Sequence, residues 1–113
     1  MTIENSSRIL RTVPREKAFY FFTSIGNYTG SSAASLKEFV EKLNAVNVKS
    51  LEFHAGRGDF EKWTSEVLED QWLTNEIRRI QRSGLTGEAL RNQLYLTASR
   101  HYKRLINPGS TRF

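Results

Sequence analysis

The run "AFYFFTSIGNYTG", beginning at Ala18, constrains this chain more than any other stretch. Aromatic residues and an isoleucine crowd into Ala18–Ile25, which favours a buried strand. The Gly26-Asn27 pair is a turn signal that should end it. One strand cannot stand alone, because its backbone donors and acceptors need partners. Three partners are open: the preceding residues, a strand that the sequence does not advertise, or a second copy of the chain. The last option makes a homodimer joined through Ala18–Ile25 one expectation, since an unpaired strand edge is a template for such pairing.

After the small-residue run "GSSAAS" the apolar period becomes helical. Ser35 and Glu38 have capping-box spacing, and Leu36, Phe39, Val40 and Leu43 follow on one face. Ser50 reads as the cap of a short helix through Leu51, Phe53 and His54, which Gly56 and Gly58 should stop. Asp59 then reads as the N-cap of a helix carrying Phe60, Trp63, Val67 and Leu68. Asp70 caps another, with Leu73, Ile77 and Ile80 as its stripe, closed by "RSG" as the helix dipole favours. Thr86 opens the last and longest helix, lined by Leu90, Leu94, Ala98 and Leu105, before Asn107-Pro108-Gly109. The expected fold is therefore mostly α. About five helices accompany a short N-terminal aromatic β element in a single compact α+β domain. Residues 1–16 form a basic leader, flexible or a short strand at "RILRTV". Residues 17–106 form the helical domain and residues 107–113 a tail.

At 113 residues with 38% hydrophobic and 26% charged side chains, the chain can build one packed core. It has no cysteine, which removes disulfide frameworks, thiolate zinc sites, iron–sulfur clusters and a cysteine nucleophile. No apolar run approaches the roughly 20 residues needed to cross a bilayer, and the N-terminus lacks a signal-peptide core. A cytoplasmic protein without membrane contact is expected.

The net charge of +5 is unevenly spread. From Arg78 onward there are eight basic residues and a single acid, Glu88, a balance of +7; the first 77 residues balance to −2. Arg8, Arg11, Arg15 and Lys17 make the leader basic again. Such a field favours an anionic partner, most commonly nucleic acid. Arg78 and Arg82 share a helix face, as do Arg100 and Arg104, with Arg79, Arg91 and Lys103 nearby. Tyr95 and Tyr102 lie off the leucine line and are candidates for stacking among these cations. Merely solvated arginines, with the tyrosines packed on the neighbouring helix, are the competing reading. No sequence-specific DNA- or RNA-binding motif is present.

The other candidate is "SLEFHAGRGDFEKW", Ser50–Trp63. A catalytic reading would use His54 as base, Asp59 as its orienting carboxylate and Arg57 as an anion clamp. A structural reading is preferred. In it Phe53, Phe60 and Trp63 fill the core, the glycines make a helix corner, and His54 and Arg57 satisfy backbone carbonyls or Asp59 across it. No nucleophile with a partner base lies nearby. His54 and His101 carry no metal-ligand spacing, and "GNYTGSS" lacks the lysine of a phosphate loop, so it reads as a turn and an approach to the next helix. No cofactor, no metal and no catalytic residue are expected.

The stretches "FYFFTSIGNYTGSSAASLKEF" and "VKSLEFHAGRGDFEKW", with the SLxFHxxRGDFxxW pattern of Ser50–Trp63 as their most specific part, resemble a family of small, mainly archaeal domains of unknown function. The resemblance runs from about Lys17 to Leu105. It implies a structural helix corner and no particular activity. The expected function is a non-catalytic basic module for nucleic acid. Structured RNA or a ribonucleoprotein surface such as the ribosome is favoured over DNA. The alternative is a protein-interaction or regulatory module, and a small enzyme at His54, Arg57 and Asp59 ranks third.

Overall fold

The aromatic strand finds its partner in the residues that follow it. A computed structural model of the chain describes residues 3–108, with side chains from residue 6 onward. In it β1 (Phe19–Ser24) pairs antiparallel with β2 (Asn27–Ala33). Ile25 and Gly26 make the turn, and Gly26 adopts φ +79°, a left-handed conformation that glycine takes without steric cost. The register, Phe19 opposite Ala33 and Phe22 opposite Tyr28, is interrupted twice by irregularities. The run expected as a helix approach is thus a strand. "NYTGSSA" carries little β propensity of its own. Pairing with β1 and packing on the following helix hold it extended.

The hairpin is followed by α2 (Leu36–Leu43), α3 (Val48–Arg57), α4 (Asp59–Glu66), α5 (Gln71–Arg82) and α6 (Gly87–Ile106). The fold is α+β and mainly helical. Ser35 caps α2 by accepting the Glu38 N–H at 3.2 Å, while the Glu38 carboxylate reaches back to the Ala34 N–H at 2.8 Å, one residue earlier than a standard capping box. Asn47, rather than Ser50, caps α3. Ser50 is inside that helix, fully buried, with no hydrogen-bond partner for its hydroxyl among the described residues.

β1 lies against α3, β2 against α2, and α6 spans the back of α2, α3 and α5. Phe19 is the centre of the core. Its ring meets Phe21, Phe39, Phe60, Trp63 and the imidazole of His54 at centroid distances of 4.7–6.1 Å. Mostly edge-on and tilted geometries let several aromatic rings share a small volume.

Residues 3–17 are neither a strand nor detached. α1 (Ile3–Ile9) is helical and a 3-10 turn covers Arg15–Lys17. Ile9 and Val13 are buried, and Val13 N–H bonds Ala34 O at 2.7 Å. Two leader arginines serve as ties. Arg8 pairs with Glu69 at 2.5 Å, and Arg11 donates to Val67 O at 2.6 Å. The hydrogen bond from Arg8 holds the Glu69 carboxyl below the usual carboxylate range. Arg112 and the rest of the tail from residue 109 lie outside the described residues. No helix among the described residues is long and apolar enough to cross a membrane.

Candidate functional site

Helix α3 reaches Arg57 despite Gly56, and Gly58 alone separates it from α4. Gly58 sits at φ +75°, and its N–H returns to Ala55 O and His54 O to close α3. Asp59 is consequently the first residue of α4 rather than its cap, and its carboxylate is turned to the last turn of α3. Oδ2 accepts from His54 Nδ1 at 2.8 Å and from Arg57 Nε at 3.0 Å. The other imidazole nitrogen, Nε2, accepts the Phe22 backbone N–H of β1 at 2.9 Å.

These contacts assign the proton on His54. The Phe22 N–H can only donate, so Nε2 carries no hydrogen and Nδ1 holds the one given to Asp59. A second proton on the ring would set N–H against N–H. Burial pushes the His54 pKa below its ordinary value, opposed by the hydrogen bond and charge of Asp59 and assisted by the charge of Arg57. The neutral ring thus clips the hairpin to the helix corner.

A groove of about 680 Å³ runs along this clip, with β1 as one wall and the α3–α4 corner as the other. Tyr20, Phe22, Phe53 and Trp63 supply apolar surface. Arg57 lies 5.0 Å over the Phe53 ring, with half of its side chain exposed. Its Nε is taken by Asp59, and neither Nη has a hydrogen-bond partner among the described residues. Lys17 and Lys62 line the same groove, as do Glu16 and Glu66. No group of three metal-ligating side chains converges among the described residues.

The expected basic surface on α5 and α6 is partly absorbed into the fold. Arg91 is only 15% exposed, binding Leu43 O at 2.9 Å and Glu88 at 2.8 Å. Arg79 pairs with Glu76 at 2.8 Å. Tyr95 and Tyr102 are half-buried against the core. Arg78, Arg82, Arg100, Lys103 and Arg104 are exposed, without a carboxylate partner among the described residues. They do not form one cluster. Arg104 lies 4.9 Å over the ring of Trp72 at the start of α5, and Arg82 ends that helix about 15 Å away by helical rise.

Sequence reasoning missed three features. Trp72 is 41% exposed and stacks on His101 with centroids 4.6 Å apart. Beneath it, His101 Nε2 meets Asp70 Oδ2 at 2.7 Å, both groups sealed from solvent. Asp70 also caps α5 through Leu73 N–H at 3.0 Å, the only role its position in the sequence signals. The groove was missed as well, since its two walls meet only in the folded chain.

No curated protein and no solved structure matches the chain. A family model does match, over residues 2–99, which is most of its length. The chain belongs to DUF5752, a family of unknown function.

Proposed function

We propose that the chain is a non-catalytic module that holds a nucleic-acid backbone, RNA in preference to DNA, on the outer surface of α5 and α6. The carrying observation is that five exposed cations of α5 and α6, Arg78, Arg82, Arg100, Lys103 and Arg104, have no carboxylate partner among the described residues. Cations neutralised within the fold release no counterions on binding; these five retain that capacity. Exposed Trp72, with the Arg104 guanidinium over its ring, puts aromatic surface among the phosphate-binding groups. Single-stranded or looped RNA offers unstacked bases to such a surface, whereas duplex DNA does not. The spread of the cations along the helix pair suits an extended backbone better than a single phosphate. Of the leader arginines, Arg8 and Arg11 take no part, because they are tied to Glu69 and Val67.

The test is fluorescence anisotropy with a labelled RNA hairpin and a DNA duplex of equal length, at low and moderate salt. Affinity for the RNA should fall steeply with salt, and the double change Arg100→Glu, Arg104→Glu should weaken it by about tenfold or more. Binding that ignores both salt and the charge reversal overturns the reading. The alternative of a dimer through the aromatic strand has less support: β1 pairs with β2 within the chain, and the outward Phe22 N–H goes to His54.

A further inference from the structure

We propose that the groove between β1 and the α3–α4 corner binds a small organic anion with a single acidic head, a carboxylate or phosphate on a flat apolar body, with Arg57 as its anchor.

The first support is the state of Arg57. A flexible arginine usually loses side-chain freedom when it captures an anion. Here that ordering is already present. The guanidinium lies over Phe53 at 5.0 Å, and its Nε is held by Asp59 at 3.0 Å. Asp59 is itself fixed by His54. The two Nη groups, the part of the fork that matches a carboxylate or phosphate, have no partner among the described residues. The arrangement leaves the positive group oriented and its terminal donors unspent.

The second support is the groove itself. Its volume of about 680 Å³ is ordinary for a small-molecule site. The rings of Tyr20, Phe22, Phe53 and Trp63 line it, surface that suits a planar apolar body. The charges decide against a polyanion. Lys17 and Lys62 add to Arg57, but Glu16, Glu66 and Asp59 line the same groove, balance those cations and would repel a chain of phosphates. One anionic head near Arg57, with its apolar body along the aromatic wall, meets these conditions. The site is separate from the cationic surface of α5 and α6, and neither reading needs the other.

The experiment is a set of amide and arginine side-chain NMR titrations of the full chain with three probes of one shape: phenylacetate, phenyl phosphate and benzyl alcohol. At least one anion should shift the signals of Phe22, Phe53 and Arg57, including the Arg57 Nε–H, and should bind about fivefold or more tightly than the alcohol. Which anion binds better distinguishes a carboxylate from a phosphate ligand. Arg57→Gln should bring the anion down to the level of the alcohol while leaving the rest of the spectrum in place. The proposal is overturned if neither anion shifts these signals. It is equally overturned if the alcohol binds as well as the anions, or if Arg57→Gln leaves anion binding unchanged.

Discussion

The protein contains two histidine–aspartate pairs with nearly equal bond lengths and very different surroundings. His54 and Asp59 are five residues apart, joined at 2.8 Å across a helix corner, and the Asp59 side chain is 27% exposed. His101 and Asp70 are 31 residues apart, joined at 2.7 Å between two helices, and the Asp70 side chain is 0% exposed. Asp59 shares its charge with Arg57 and with water. Asp70 has a helix N-terminus and one imidazole. The same two residue types therefore make a clip beside an open groove in one place and an internal rivet in the other. Burial of the carboxylate, more than the hydrogen bond, separates the two roles.

The largest expected effect follows from that difference. His101→Ala should strand the Asp70 carboxylate in the interior and remove the ring on which Trp72 stacks, lowering stability by about 3–5 kcal/mol in urea unfolding. His54→Ala should cost less, about 1–3 kcal/mol, because it orphans the Phe22 N–H but leaves Asp59 with Arg57 and solvent. If the two losses are equal, or their order is reversed, burial of the carboxylate is not what distinguishes the pairs.

A pH series sharpens the contrast for the pair beside the groove. The folded-state pKa of His54 lies below its ordinary value of 6.5, so between the two values the unfolded chain binds more protons than the folded one. Stability from this residue is then complete above the ordinary value and declines as pH falls towards the folded value, where the decline levels off. Subtracting the stability profile of His54→Gln from that of the wild type should leave such a step in mildly acidic solution. A difference that stays flat across the histidine range means that His54 does not change its proton affinity on folding. The smallest effect is expected for Arg57→Gln, a change of within about 0.5 kcal/mol, since its side chain is half exposed. A larger loss would make Arg57 a structural member of the corner rather than a group held ready for an anion.

The two pairs also differ in how far the sequence discloses them. His54, Arg57 and Asp59 fall within six residues around Gly58, so their mutual contact can be read from local spacing. His101 and Asp70 meet only because α5 and α6 turn back on each other, and neither segment carries a mark of it. The helical stripes of α2, α4, α5 and α6 were legible because their apolar residues repeat at the helical period. β2 was not, since "NYTGSSA" is small and polar and becomes a strand through its neighbours. Asp59 looked like a cap because acidic residues suit that position; in the fold Gly58 turns the chain so tightly that the carboxylate meets α3 instead. The basic surface was legible as composition, but which cations the fold consumes was not. Arg91 is spent on the carbonyl of Leu43, 48 residues away.

The single-residue join at Gly58 has a mechanical consequence. Two helices that share one linking residue, with a salt bridge across the bend, have no slack between them and act as one bent lever. The opposite wall of the groove is a two-stranded hairpin with an exposed tip at Ile25. With Phe19 and Phe21 of β1 held in the core, any widening of the groove falls to the hairpin tip beyond the hydrogen bond between Phe22 and His54, while the helical elbow stays still.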